Sequence, residues 1–280
     1  YSVAYVIRSY LGSQEFARLK PVTQSTYRNV LRRIETECGD KSAISMNRQD
    51  VVGILDKQSA GSVKNWLAMF RILSRHMLDM GWRETDPTLR LRKPKSGKGF
   101  EVWTIEDAAR FMRRHPVGSR ARLAFLLLAL TGQRRGDVVA MGRQHVTDGR
   151  LVITQSKTGN RVSLPVLPML QAEIDRLPLT QLTFLVTGQG APFTAAGFGN
   201  WFREICDEAG VTKSAHGLRK FLGTLLAETG STHKEVMAIL GHVTESEATH
   251  YIKSASIEAL SDQAMERLMG MLLVMISVQM

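Results

Sequence analysis

The residues best suited to chemistry in this sequence are a set of positively charged side chains followed by a tyrosine. In chain order the set is Arg134, Lys157, His216, Arg219, His242 and Tyr251. Arginine suits phosphate oxygens because its planar guanidinium makes paired hydrogen bonds and keeps its charge. Lysine and histidine can move protons, and a tyrosine hydroxyl is a potential nucleophile. The composition of the set therefore favours reaction at a phosphate ester.

The first two members of the set lie where predicted elements end. Arg134 lies in the segment 131–137, where an apolar helix stops at Gly132 and another helix begins. Lys157 lies in the turn 156–160 between two short β-prone runs, which predicts a hairpin with the lysine at its tip. From a hairpin tip a lysine can reach into a groove.

The remaining members cluster near predicted helix ends. His216 and Arg219 are three residues apart, so they share one face of a helix in its first turn. Backbone N–H groups and the helix dipole favour an anion there. His242 follows Leu240-Gly241 just past a short helix, and Tyr251 comes nine residues later.

The order Arg, Lys, His-x-x-Arg, Gly-His and Tyr resembles the catalytic signature of the tyrosine recombinase, or phage integrase, family. The most specific parts are Thr131-Gly-x-Arg and the interval from Leu240-Gly-His to Tyr251. The motifs cover about residues 104–260, while residues 1–95 resemble the family's core-binding domain only in helical character. The resemblance implies a site-specific DNA recombinase that works through a 3′-phosphotyrosyl intermediate, for integration or excision of a mobile element or phage.

The resemblance also implies a role for each matching residue. Tyr251 would attack the phosphate, and Arg134 and Arg219 would hold its non-bridging oxygens. Lys157 would protonate the departing 5′ oxygen. The bond energy is kept in the phosphotyrosine, so the resemblance implies no cofactor, no ATP and no metal.

Three further positions follow from the same resemblance. His216 would assist proton transfer at the tyrosine and phosphate contact, and His242 would add a hydrogen bond to the phosphate. Asp137 would orient the arginines from behind. Gln133 stands where the family more often has an apolar residue, and is expected to alter packing below Arg134 or to reach DNA.

Two basic residues, Arg135 and His250, lie directly beside members of the set. The Thr-Gly-x-Arg register favours Arg134 over the adjacent Arg135 as the phosphate-binding arginine. His250, beside the predicted nucleophile, has no role in the family pattern.

The charge balance points to nucleic acid as the partner. Lys and Arg total 37 against 26 Asp and Glu, giving a net charge of +11 over 280 residues. Such a surplus favours nucleic acid as the binding partner, with an anionic membrane surface as the second candidate. The alternative is a solvated basic surface that binds no partner. The resemblance narrows this to double-stranded DNA at a specific site, self-association to a tetramer on DNA, and possible accessory DNA-bending proteins, without a membrane.

The predicted fold is mainly α with a small antiparallel β-sheet. Residues 1–82 are expected to form a helical domain, 83–100 a basic interdomain linker, and 101–280 a mixed α+β domain with a C-terminal partner-docking helix. The resemblance implies that the first is a SAM-like core-binding domain and the last the catalytic domain. Apolar periodicity predicts the principal elements. They are helices over 23–38, 46–55, 62–80, 121–130, 169–177, 194–209, 216–229, 233–240, 245–251 and 256–273, and strands over 151–154 and 161–166. The helix 62–80 is predicted to carry one apolar stripe from Trp66 to Met80, and Thr104 to Asp107 has the spacing of a capping box.

The segment 83–100 interrupts the helical pattern with prolines, glycines and basic residues. Its cations can lie along a phosphate backbone, each adding salt-dependent affinity, or simply keep the linker solvated. The expected DNA-binding residues are Arg90, Arg92, Lys93 and Lys95.

The end of the chain and the cysteines complete the sequence-based predictions. The run 268–280 is apolar but too short for a membrane span. It is expected to be a helix that docks on a neighbouring protomer, or else packs on its own chain. Cys38 and Cys206 lack metal-ligand spacing and favour a reducing compartment. The resemblance implies a cytoplasmic location, at the bacterial nucleoid or, for a phage protein, in the host cytoplasm.

Three alternatives remain at this level. The first is a catalytically inactive, sequence-specific DNA-binding regulator of the same fold, which would be expected to have lost some of the set. The second is a type IB topoisomerase, disfavoured by the compact helical first domain and short linker. The third is a helical adaptor with a basic face, which leaves the ordered set unexplained.

Overall fold

Helices dominate both parts of the chain, and the only multi-stranded sheet among the described residues is small. The computed structural model describes residues 1–93, 99–242, 244, 249, 265 and 269. The chain folds into two compact units, residues 1–97 and 98–280. A mainly helical chain with one antiparallel sheet confirms the fold class predicted from the sequence.

The first unit is a set of helices around its own apolar core. Its helices are α1 Val3–Leu11, α2 Gln14–Ala17, α3 Pro21–Cys38, α4 Arg48–Asp56 and α5 Ala60–Asp79. The three predicted helices of this part are confirmed as α3, α4 and α5. In α5 the stripe from Trp66 to Met77 is buried, but Met80, predicted to extend it, is 51% exposed. Met80 is the C-cap of α5, beyond the last turn that faces the core.

The beginning of the segment 83–100 packs on this first unit. Arg83 donates a hydrogen bond of 2.7 Å to the carbonyl oxygen of Ala43. Arg71 donates one of 2.6 Å to the carbonyl oxygen of Leu91, whose side chain is buried. Of the predicted DNA-binding residues, Arg90, Arg92 and Lys93 are exposed, whereas Lys95 lies outside the described residues.

The second unit combines seven helices with a three-stranded sheet in the described part. The helices are α6 Ile105–Arg114, α7 Arg120–Thr131, α8 Arg135–Val138, α9 Pro168–Asp175, α10 Ala195–Glu208, α11 Ala215–Glu228 and α12 His233–Leu240. The strands are β1 Val146–Thr147, β2 Arg150–Thr154 and β3 Arg161–Pro165. The predicted capping box is present, with Thr104 and Asp107 exchanging side-chain-to-backbone hydrogen bonds at the start of α6. The predicted helices 245–251 and 256–273 lie outside the described residues.

The β2–β3 hairpin follows from alternating burial along both strands. Leu151 pairs with Leu164 and Ile153 pairs with Val162, and all four side chains are buried on one face. Gly159 has φ +75° and closes the turn, as predicted. The antiparallel sheet has the order β1-β2-β3, and two-residue β1 is too short to leave a periodic signal in the sequence.

Helix α7 is the central element of the second unit. It is buried on nearly every side and ends at Gly132, which has φ +62° in the left-handed region. A Cβ at this position would collide with the side chains of Leu240 and Leu222. Gly132 therefore allows both the reversal of the chain and the close approach of α11 and α12. Within the part of the chain that the structure describes, no helix is long and apolar enough to cross a membrane.

We expect Gly132→Ala to destabilise the protein more than Gly149→Ala. Both glycines have left-handed φ, which costs an alanine roughly 1–2 kcal/mol, but Gly149 has open space around it. The collision at Gly132 adds overpacking of roughly 1–3 kcal/mol. Urea unfolding of the two variants measures the difference, and equal losses would show that the space beside Gly132 can adapt.

Candidate active site

The two adjacent arginines after α7 point to different parts of the unit. Arg134 is the N-cap of α8 and donates a hydrogen bond of 2.7 Å from Nη1 to the side-chain oxygen of Gln155. Arg135 lies against Gly199 of α10, where any side chain would collide with its guanidinium. Arg134, the arginine favoured by the Thr-Gly-x-Arg motif, is therefore held by the hairpin, whereas Arg135 rests on α10.

Gln155, at the end of β2, joins the hairpin to its surroundings. The residue is fully buried. Its oxygen accepts from Arg134 and from the hydroxyl of Thr158, at 2.7 and 2.8 Å. Its nitrogen donates to the side-chain oxygen of Gln133 at 2.6 Å and to the carbonyl oxygen of Leu240 at 2.9 Å. One amide therefore contacts the Arg134 loop, the hairpin turn and the end of α12.

Arg219 is fixed by backbone carbonyls. It lies in the first turns of α11 and is 3% exposed. Its guanidinium donates to the carbonyl oxygens of Gly132 at 2.7 Å and Leu240 at 2.8 Å. The end of α7 and the end of α12 therefore both determine the position of this arginine.

Lys157 is exposed in the hairpin turn, where it was predicted. The turn is held by Asp137, whose Oδ1 accepts from the backbone N–H of Ser156 at 2.9 Å and from its hydroxyl at 2.7 Å. The resemblance implies that Asp137 orients the arginines. The contacts seen here run to the hairpin, because α8 places the carboxylate beside the turn that carries Lys157, and the orienting role stays a prediction.

His216 lies at the start of α11 beside Arg134, and both line one cleft with Arg135, Arg203 and Lys213. The ring of Phe100 covers one face of the imidazole, with centroids 4.7 Å apart, while the residue keeps an exposed edge. This partial desolvation is the main cause that lowers the pKa of His216 below its usual 6.5. Nearby positive charges lower it further, those of Arg219, Lys220, Arg134 and Lys157.

His242 is buried directly after α12. Gly241 ends that helix with φ +65°, and a Cβ there would collide with the amide of Gln155. Asn160 of the hairpin donates to the carbonyl oxygen of Gly241 at 3.3 Å. The Leu-Gly-His motif therefore needs glycine for two reasons, a left-handed backbone and a close approach to the hairpin.

The structure brings five of the six predicted residues to one side of the second unit, on α8, the hairpin, α11 and the end of α12. Tyr251 lies outside the described residues. Sequence reasoning missed Gln155, whose one signal was its place directly before Ser-Lys-Thr-Gly. It noted Gln133 as unusual, and the structure shows the packing role: the side chain is 1% exposed and donates to the carbonyl oxygens of Thr131 and Ile239.

No group of three or more His, Cys, Asp or Glu side chains is arranged to hold a metal ion among the residues described. Lys213, at the rim of the cleft, is paired with Glu101 at 2.6 Å.

The residues 101–257 match the sequence model of the phage integrase family, which is more than half of the chain. The chain belongs to this family. The integrase of Escherichia phage HK022 is 24% identical over 259 residues, covering 86% of this chain and 72% of that protein. The tyrosine recombinase XerD of Bradyrhizobium diazoefficiens is 29% identical over 216 residues, covering 65% and 68%. The family predicted from the ordered motifs is thereby confirmed.

Solved integrase structures share the fold of this family member. A lambda integrase (75–356) dimer bound to a COC′ core site aligns with a TM-score of 0.79 at 20% identity, over 90% of this chain and 95% of that one. A lambda integrase tetramer bound to a Holliday junction aligns with a TM-score of 0.77 at 20% identity, over 88% and 79%.

We expect the imidazole of His216 to titrate below pH 6.5 in NMR spectra. Substituting Lys157→Met removes one of the charges that disfavour the imidazolium, so the pKa should rise. Because the folded state binds this proton more weakly than the unfolded chain, His216 reduces stability as the pH falls below about 6.5 and has no effect well above it. A titration at or above 6.5 would contradict the described environment.

Proposed function

We propose that this chain is a site-specific DNA recombinase that cleaves and rejoins strands through a 3′-phosphotyrosyl bond at Tyr251. The family assignment makes it an integrase-type tyrosine recombinase. The observation that carries the finer proposal is the assembly of Arg134, Arg219 and the Lys157 hairpin around shared hydrogen bonds. A phosphodiester is the substrate that two fixed guanidinium groups and an exposed ammonium group fit best.

In the proposed reaction the hydroxyl oxygen of Tyr251 attacks phosphorus and the bond from phosphorus to the 5′ oxygen breaks. Arg134 and Arg219 stabilise the charge on the non-bridging oxygens. Lys157 gives a proton to the departing 5′ oxygen. Attack by a 5′-hydroxyl of another strand reverses these steps, rejoins the DNA and releases the tyrosine. Because the phosphotyrosyl bond conserves the energy of the broken phosphodiester, the reaction needs no external energy source.

His216 is suited to accept the proton of the tyrosine. A free tyrosine has a pKa near 10, so only about one in a thousand is ionised at pH 7. Because its own pKa is lowered, His216 is a neutral imidazole at that pH and has a lone pair to offer. The same cationic surroundings favour the phenolate.

The proposed partner is double-stranded DNA, and the proposed task is integration or excision of a mobile element. Supporting this, one relative is a phage integrase, and the structurally similar lambda integrase was solved as a tetramer on a Holliday junction. The same proposal includes assembly to a tetramer on DNA, in which the C-terminal run 268–280 docks on a neighbouring protomer. It also includes accessory proteins that bend the DNA.

The basic residues after α5 are proposed to contact the DNA backbone. Arg90, Arg92 and Lys93 are exposed on the surface of the first unit, and Lys95 follows them in the sequence. Each phosphate that these residues neutralise would release about one counterion, and the plot of log binding constant against log salt concentration would become steeper by about one unit.

The direct test is to trap covalent protein–DNA adducts. Wild type and Tyr251→Phe are incubated with supercoiled plasmids that carry candidate attachment sequences, and the reactions are quenched with detergent. We expect adducts with the wild type alone, because phenylalanine has no nucleophilic oxygen. Binding of DNA by both proteins without adducts from either would support the alternative of an inactive DNA-binding regulator.

The role of Lys157 can be tested through the leaving group. Lys157→Ala should cleave an ordinary phosphodiester slowly, because the departing 5′ oxygen lacks its proton donor. A substrate with sulfur at the 5′ bridging position should restore the rate, since a thiolate with a pKa near 8.5 leaves unprotonated. If sulfur gives Lys157→Ala no more benefit than it gives the wild type, proton donation is not the function of Lys157.

The arginine roles predict a different pattern. Arg134→Ala and Arg219→Ala should each reduce strand cleavage by roughly 10²–10³-fold, the scale for one lost oxyanion donor. Specific DNA binding should persist, because many other basic residues remain. Single-turnover cleavage and gel-shift titrations measure the two effects, and normal cleavage by either variant would remove that arginine from the site.

A further inference from the structure

We propose that Gln155 is a positioning residue for recombination, holding Arg134 in the orientation that meets the phosphate. This inference rests on the proposed function and adds a residue to it. Gln155 touches no reacting atom in the proposed reaction. It acts through the guanidinium that its oxygen holds at 2.7 Å.

The orientation of the Gln155 amide is fixed by its partners. A side-chain amide offers two N–H donors and an oxygen with two lone pairs. Here both donors are used, on Gln133 and Leu240, and both lone pairs are used, by Arg134 and Thr158. Rotating the amide by 180° would set donors against donors and acceptors against acceptors. One orientation alone satisfies this fully buried group.

The same amide links the two arginines that are proposed to hold the phosphate. The carbonyl oxygen of Leu240 accepts from Gln155 at 2.9 Å and from Arg219 at 2.8 Å. A continuous chain of hydrogen bonds therefore runs from Arg134 through Gln155 and Leu240 to Arg219. Two cations that would otherwise repel are set at a defined separation by neutral groups.

Neutrality is the property that makes glutamine suitable here. A carboxylate at position 155 would bind Arg134 more strongly, but its negative charge would compete with the phosphate for the guanidinium. The amide uses one N–H of Arg134 and leaves the full positive charge. No other hydrogen bond of this guanidinium is seen among the described residues, so its remaining donors can serve a ligand in the cleft that Arg134 lines.

Gln133 holds the Gln155 amide through a buried hydrogen bond. It is 1% exposed, accepts from Gln155 at 2.6 Å and donates to the carbonyl oxygens of Thr131 and Ile239. The Gln155 amide packs directly against Gly241, because even a methyl group there would collide with it. The two glutamines thus form a buried polar pair whose side-chain amides hydrogen-bond to each other and to their surroundings.

The test uses two variants of near-equal size, Gln155→Met and Gln155→Glu. Methionine removes all four hydrogen bonds. Glutamate keeps the acceptor for Arg134 and adds a charge, but it loses the two donors that Gln155 uses toward Gln133 and Leu240. The matched controls are Gln189→Met and Gln189→Glu, at an exposed position of the same unit. Thermal unfolding of each variant checks folding, and Gln133→Leu is the second variant if Gln155→Met does not fold.

The first readout is the order of the Arg134 side chain, from NMR relaxation of its Nε–H, assigned with Arg134→Lys. We expect a rigid Arg134 in the wild type, a mobile one in Gln155→Met, and an ordered one in Gln155→Glu. Gln133→Leu should show a smaller loss of order. A rigid Arg134 in Gln155→Met would overturn the proposal, and this readout does not depend on DNA cleavage.

The second readout is single-turnover cleavage of two DNAs, with a phosphodiester or an uncharged methylphosphonate at the cleavage position. Both Gln155 variants should lose about 10²-fold on the phosphodiester, the scale for a small misplacement in an active site. In Gln155→Met the cause is a misplaced Arg134, and in Gln155→Glu it is a negative charge that competes with the phosphate for Arg134. The deficit should shrink on the methylphosphonate, which lacks the negative oxygen that Arg134 serves. An equal deficit on both DNAs would mean that Gln155 is merely structural.

The two readouts distinguish a failure of the proposed recombinase function from a failure of the positioning role of Gln155. If the wild type forms no adduct on any DNA, the proposed function fails, while the order of Arg134 still decides whether Gln155 positions it. If the wild type cleaves and the Gln189 controls match it, the loss in the Gln155 variants is assigned to position 155 itself.

Discussion

The carbonyl oxygen of Leu240 is the point on which the candidate site depends. It ends α12, and because the chain turns away at Gly241 it accepts from outside its own helix. Arg219 and the Gln155 amide both donate to it, so α11, the hairpin and the loop of Arg134 share one reference point. Leaving a buried carbonyl oxygen without a hydrogen bond costs about 1–3 kcal/mol of folding free energy. Because Arg219 and Gln155 satisfy this oxygen, the stability of the unit depends on the same hydrogen bonds that position Arg219 and Arg134.

The outer part of the site is held in a different way from the inner part. Asp137 fixes the turn of the hairpin through Ser156, while Lys157 next to it is exposed. A hairpin fixed at its base with an exposed lysine suits the proton donor of the proposed reaction. The inner cations are fixed by carbonyls and amides and the outer one lies at the surface, so the proposed phosphate binding and the proposed proton transfer fall to separately held groups.

Sequence reasoning identified the family, and it selected five residues that the structure brings to one side of the second unit, because those signals are local. A glycine with left-handed φ, a hairpin turn and a capping box each leave a mark within a few residues. Gln155 was missed because its partners lie on segments far apart in sequence, so nothing local identifies it. The contact of Asp137 with Ser156 was missed for the same reason, and Met80 was misplaced because periodicity does not show where the last buried turn ends.

The most direct test of the central claim is to identify the amino acid that carries the DNA. Trapped adducts from the wild-type protein would be digested with nuclease and protease and sequenced by mass spectrometry. The account predicts a nucleotide joined through its 3′ phosphate to Tyr251. Attachment to another residue, a 5′ linkage, or no adduct on DNA that the protein binds specifically would contradict it.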